Sequence, residues 1–353
     1  MKAACSLLGL FAALIFSGVQ ADVPAPQPDD AQESPWLLVP TLSVDPKLGA
    51  SIGVIGGYIH QFDSQSTPSM FIATASTSDN DSTIGGVFGQ MFFDADRQKL
   101  VLGGAIGEIN NDYKDFLGSG IPAQTTDRLQ AAVARYLHVV SGDWYLGAQA
   151  ISTNYTIGAD GFFDPILELI GLTGFDSVGL GVVAEYDTRD NLRNPASGRY
   201  LVAHNIAYRE NPGGDESFDV YSLKYSEYIN FKPQQVLAWE VKGRWTDDAP
   251  IGGYSSIELR GYVRGNYLAP NYTHVQVEDR ITCTERWGMA VFAGLGCLYD
   301  GLSDCDDSGA RYAAIGAGAI FTLKPDAGIV VRAEVAKGEG DEYFGYISLG
   351  NPF

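Results

Sequence analysis

From residue 36 to the end of the chain, apolar residues come in short bursts that break at Gly, Pro, Asn, Asp or Ser. Within many bursts they alternate with polar neighbours. The alternation is plainest at 235–246, where Leu237, Trp239, Val241 and Trp245 interleave with Glu240, Lys242 and Arg244. It recurs at 328–336, with Ile329, Val331, Ala333 and Val335 against Arg332 and Glu334, and at 273–284, where Gln276, Glu278, Arg280 and Thr282 share one face. Successive side chains of a strand point to opposite faces, so each segment has an apolar face and a charged one. Glu227 and Asp279 are exceptions that fall on the apolar side.

Extended along the chain, the pattern predicts sixteen strands, at 36–44, 49–62, 69–78, 82–93, 99–110, 127–140, 144–157, 177–188, 199–210, 217–231, 235–246, 273–284, 288–299, 311–323, 328–336 and 342–353. Connections after even-numbered strands are short, as at Ser141-Gly142-Asp143, Lys232-Pro233, Glu285-Arg286 and Lys324-Pro325-Asp326. Those after odd-numbered strands include the long stretches 111–126, 158–176, 247–272 and 300–310. An outer-membrane barrel has this alternation, with short periplasmic turns and long outward loops. A soluble sandwich would also point a charged face at water. Against that stand Trp144, Trp287 and the Phe92-Phe93 pair near strand ends, where an aromatic girdle meets the bilayer interface. The expectation is an all-β, sixteen-stranded antiparallel transmembrane β-barrel. Such a sheet must close, because hydrocarbon leaves edge backbone groups unsatisfied.

Composition adds limits. Gly is abundant at 42 residues and aromatics reach 12%, as suits an all-β chain. Beyond the N-terminus no stretch approaches the ~18 consecutive apolar residues of a membrane helix. Lys2, the apolar run 7–16 and Val19-Gln20-Ala21 have the parts of a secretory signal peptide, with cleavage expected after Ala21. Residues 22–35, rich in Pro, Asp and Gln, are expected to be a disordered periplasmic tether, leaving 36–353 as the barrel. The excess of 43 acidic over 23 basic residues, net −20, argues against nucleic-acid binding. A solvated acidic surface accounts for it.

Candidate chemistry is sparse. Cys297 and Cys305 flank the acidic stretch 300–307 and are favoured as a disulfide in an exported protein, with Cys283 left over as a small apolar residue. His60, His138, His204 and His274 lack metal-ligand spacing, and no G-x-S-x-G nucleophile motif occurs, so neither an enzyme nor a cofactor is expected. Asp304, Asp306 and Asp307 have the oxygen ligands a divalent cation prefers, but a solvated loop is the better reading, and no metal site is assigned.

Several motifs carry a family resemblance: Glu185-Tyr186-Asp187-Thr188-Arg189-Asp190-Asn191 with Pro195-Ala196-Ser197-Gly198, then Leu259-Arg260-Gly261-Tyr262, Glu278-Asp279-Arg280, Val291-Phe292-Ala293-Gly294-Leu295-Gly296 and the terminal Phe353. Together they resemble the BamA/TamA-type outer-membrane assembly factors, the "bacterial surface antigen" barrels. The resemblance implies that the 247–272 loop is extracellular and folds back into the lumen. There Arg260 would meet acidic residues of the inner wall, with Glu278 the matching partner. Glu240, Arg280 and Phe292 are further lumenal candidates. Where family members commonly carry Asp in the thirteenth strand this chain has Gly294, and with Gly296 it would leave room for the loop. The last strand, with Tyr346, Leu349 and the aromatic Phe353 at its end, supplies the C-terminal signal.

In function, the resemblance implies a Gram-negative outer-membrane protein, embedded in outer-membrane lipid, that inserts or translocates nascent outer-membrane proteins or lipids. The tether at 22–35 is too short for one POTRA domain, the periplasmic module of that family. A periplasmic or lipoprotein partner supplying that role is therefore expected. Gly345 and Gly350 suggest weak pairing where the last strand meets the first. A closed barrel that conducts small solutes, or displays loops as a surface antigen, is the other reading.

Overall fold

The computed structural model describes residues 34–45, 49–113, 123–154, 176–211, 213–325, 327–340 and 343–353. The expected signal peptide, most of the tether and most of the 158–176 loop lie outside these residues.

The strands are β1 (Trp36–Asp45), β2 (Gly49–His60), β3 (Ser69–Ser78), β4 (Thr83–Phe93), β5 (Gln98–Tyr113), β6 (Ala123–Ser141), β7 (Trp144–Thr153), β8 (Ser177–Asp187) and β9 (Gly198–Tyr208). They continue with β10 (Phe218–Lys232), β11 (Gln235–Asp247), β12 (Ser255–Ser256), β13 (Leu268–Ala269), β14 (Asn271–Thr282), β15 (Trp287–Tyr299), β16 (Arg311–Lys324), β17 (Ile329–Lys337) and β18 (Tyr343–Leu349). Sixteen of them form one closed antiparallel barrel in chain order. β12 and β13 stand apart as a two-stranded ribbon inside the β11–β14 loop, so that β11 pairs directly with β14.

The two faces of each strand differ as the alternation predicts. Along β11, Ala238, Glu240, Lys242 and Arg244 are buried while Val241 is exposed; along β17, Arg332 and Glu334 are buried and Val335 is exposed. A belt of apolar side chains covers the outside, including Leu38, Ile52, Ile106, Val182 and Ile315, each at least 60% exposed. Rings pair near the strand ends, as in Trp144 with Tyr186 at 5.1 Å and Trp287 with Phe321 at 4.8 Å. Phe92 departs from expectation: it is fully buried on the inner face, and only Phe93, 4.8 Å from Phe62, remains with the ring pairs. The two acidic exceptions have local partners. Glu227 accepts from Arg199 at 3.0 Å and Asp279 from Gln235 at 2.7 Å, both near the short-turn end.

Other boundaries shift for physical reasons. The hairpin of β5 and β6 runs past its expected ends, through Asn110 opposite Thr126 to Tyr113 opposite Ala123. Its Asn, Asp and Thr content reads as loop, yet polar residues extend a ladder freely once it leaves the apolar belt. β18 stops at Leu349 rather than reaching Phe353, because Gly350 takes a φ of +91° and turns the chain out of the sheet. Phe353 consequently packs against Tyr228 and Ala238 on the inner wall, not at an interface girdle.

Among the described residues the seam is the shortest ladder of the barrel. β1 pairs with β2 from Trp36–Tyr58 to Asp45–Gly49, and β17 with β18 from Val331–Leu349 to Lys337–Tyr343. Between β1 and β18 a single register pair, Val44 opposite Gly345, is present among the described residues. Toward the short-turn end the gap is covered by side chains instead: Val39, Ile55 and Ile72 pack against Val331 and Leu349.

Candidate functional site

The buried inner face of β14 and β17 carries a dense ionic cluster. Glu278 is fully buried and accepts from Arg280 Nε at 2.6 Å and from both Arg332 terminal nitrogens at 3.0 and 2.9 Å. Arg332 also reaches Glu334 at 2.7 Å. Into this cluster the β11–β14 loop delivers Arg260, whose Nη1 lies 2.9 Å from Glu278 and 3.0 Å from Glu334. Its guanidinium carbon sits 3.4 Å from the centroid of the Phe292 ring and 5.8 Å from that of Phe353. Three arginines thus share two carboxylates, and the surplus cation lies over an aromatic face, where its charge is partly compensated.

The rest of the loop packs on the same wall. Ile257, Leu259 and Tyr262 are buried with Tyr272, Leu298 and Tyr312. Tyr262 donates its hydroxyl to the Ala313 carbonyl at 2.7 Å and accepts from the Glu339 amide at 2.9 Å. The Gly261 amide donates to the Tyr346 hydroxyl at 3.2 Å. Gly261 has a φ of +98°, and a Cβ there would stand 2.7 Å from the Gly338 nitrogen, so only glycine fits. Opposite Leu259, a Cβ on Gly294 would come within 2.7 Å of Leu259 Cδ2, and one on Gly296 within 2.9 Å of the Tyr272 hydroxyl. The missing side chains make the space that the loop occupies. Lys242 pairs with Glu258, and Arg244 holds the loop through Ser255 Oγ and the Gly253 carbonyl, each at 2.9 Å.

Not every residue singled out in the sequence joins this site. Glu240 faces Lys224 and His274 at 3.0 Å each and forms a group separate from Arg260. Leu349 belongs to the apolar seam cluster. Cys297 and Cys305 form a disulfide with Cα atoms 5.9 Å apart at the long-loop end. Cys283, expected as a small apolar residue, is half-buried just past the end of β14.

The second carboxylate, Glu334, and the convergence of Arg332, Asn351 and the turn between β8 and β9 are not legible in the sequence. Asn351 accepts from Arg332 at 2.7 Å and donates to the Arg193 carbonyl at 3.0 Å, while Arg280 donates to the main-chain oxygen of Phe353 at 2.7 Å. Alternation places Arg332 and Glu334 on the inner face, but nothing local says which cross-barrel side chain they meet.

A closed sheet, an apolar exterior and a charged interior together define a β-barrel of the transmembrane type. Solved structures with the same architecture include BamA from Haemophilus ducreyi lacking POTRA domains 1-3, at 13% identity and TM-score 0.53 over 90% of this chain and 70% of that one. CdiB from Acinetobacter baumannii matches at 12% and 0.56 over 89% and 59%, and CdiB from Escherichia coli at 11% and 0.61 over 91% and 63%. The chain therefore spans less than two thirds of either CdiB, and identities this low speak for the fold alone. No family model and no curated protein sequence matches.

Proposed function

We propose that this chain is an outer-membrane barrel that assists the insertion or translocation of proteins at its β1–β18 seam, working with a periplasmic partner. The observation that carries the reading is the contrast, among the described residues, between the seam's single register pair and the long ladders on either side of it. A weakly paired edge next to lipid offers its free backbone groups to an incoming strand, which gains affinity by strand addition. The motifs shared with assembly-factor barrels and the fold likeness to BamA and CdiB point the same way. In this reading the Arg260 loop folds into the lumen, so that the seam, not an open pore, is the route.

The test is a cross-link. With Val44→Cys and Gly345→Cys oxidised, the barrel reconstituted in liposomes should no longer accelerate the folding of an added, urea-unfolded outer-membrane barrel, scored by heat-modifiable migration, and reduction should restore the acceleration. Full activity in the locked form would sink the proposal. Large, steady conductance of the unmodified protein in planar bilayers would favour a solute channel instead.

A further inference from the structure

We propose that the barrel interior holds a binding site for one single-chain anionic amphiphile: an acyl chain bearing a carboxylate or phosphate head. This goes beyond the seam reading and does not depend on it.

The site is a cavity of about 350 Å³ bounded by the inner wall from β3 to β11, the loop and the chain near Leu349. That volume lies within the ~300–1,000 Å³ of ordinary ligand pockets. Its charge runs against the rest of the protein. Eight of its lining side chains are Lys or Arg and two are Glu, in a chain whose net charge is −20.

Several of these cations have carboxylates close by, as Lys99 does in Glu185 at 2.7 Å. Two donate hydrogen bonds only to neutral acceptors among the described residues. Arg244, only 8% exposed, donates to the neutral Ser255 hydroxyl and Gly253 carbonyl, while Glu258 alongside it is paired with Lys242. Arg193 donates to the carbonyls of Pro68 and Ala327, and its Nε is buried with no partner. A guanidinium that hydrogen-bonds only neutral acceptors leaves part of its desolvation cost uncompensated, which an anion arriving in a planar, bidentate contact relieves.

The remaining wall is apolar. Ile72, Phe88, Leu137, Val202, Ile206 and Val220 line the same cavity. A hydrated inorganic anion would leave that surface unused, and a neutral hydrocarbon would leave Arg244 with neutral acceptors alone. An amphiphile satisfies both. Its route is also present, because Ile72 and Leu349 line the cavity and belong to the apolar cluster that covers the seam, so a chain leaving the bilayer there stays in apolar contact.

The experiment uses the delipidated full chain in neutral maltoside micelles, read by native mass spectrometry. Dodecanoate and dodecyl phosphate are titrated separately, with dodecanol and inorganic phosphate as the probes lacking head or chain. At least one of the two anionic amphiphiles should saturate at one equivalent, the tighter of them naming the head, and both control probes should bind at least tenfold more weakly. Arg244→Gln should weaken the complex at least tenfold. Because that change also frees a loop contact, Ile72→Trp supplies a second arm: it fills the cavity without altering charge and should abolish the single adduct while the barrel keeps its heat-modifiable migration. Arg286→Gln, an exposed cation outside the cavity, should change nothing. Adducts that never saturate, equal retention of dodecanol or of inorganic phosphate, or wild-type binding by the Arg244 or Ile72 variant would overturn the proposal.

Discussion

Arg260→Ala is expected to release the β11–β14 loop while leaving the barrel folded. The side chain makes two charge-assisted bonds and one stacking contact to the wall, through Glu278, Glu334 and Phe292. Its removal leaves Arg280 and Arg332 with the two carboxylates, a balanced set, so the wall itself keeps its pairing. Single-channel conductance should rise, and limited proteolysis should cut within 251–268, with heat-modifiable migration retained. Arg264→Ala should do less. Glu278→Gln is the more damaging change, because three arginines would then face Glu334 alone. Breaking a buried pair from that side costs about 3–5 kcal/mol. The barrel midpoint in urea should fall clearly for Glu278→Gln and little for Arg260→Ala. Equal shifts would mean that the loop and the wall are not separable in this way.

Gly294→Leu attacks the same contact by filling space rather than removing charge. A Cβ at this position already meets Leu259 at 2.7 Å and Gln276 Cγ at 2.9 Å, so the larger side chain cannot coexist with the seated loop. Overpacking of this kind costs roughly 1–3 kcal/mol. The loop, rather than the sheet, should yield, since the β14–β15 ladder continues on both sides of the Gln276–Gly294 pair. The expected result is the conductance and protease signature of Arg260→Ala with every charge intact. Pairing Gly294→Leu with Leu259→Ala should restore the closed state. Without restoration, Leu259 is not what the glycine accommodates.

Much of the barrel could be read in advance because a period of two, recurring in many of the strands, is a local signal. The faces of β11 and β17 follow directly from Glu240, Lys242, Arg244, Arg332 and Glu334. What stayed hidden is non-local. Glu278 suits a lumenal partner by its face, yet nothing near Glu334 in the chain announces that it meets Arg260 from 74 residues away. Phe353 looks like the end of a strand and becomes interior because Gly350 adopts positive φ, a conformation glycine permits but does not require. The turn between β8 and β9 resembles an ordinary polar connection until Asn351 is found bonded to both Arg193 and Asn194, across 158 and 157 residues.

Those separations bear on time as well as structure. Contacts between positions so far apart in the chain cannot form before the sheet has gathered them, so the ionic cluster belongs to the late stages of folding. Interactions absent from the transition state slow unfolding without hastening folding. The buried arginines therefore act chiefly on the lifetime of the finished barrel. Their loss would be felt as a shorter half-life in the membrane long before it changed how quickly the chain first closed.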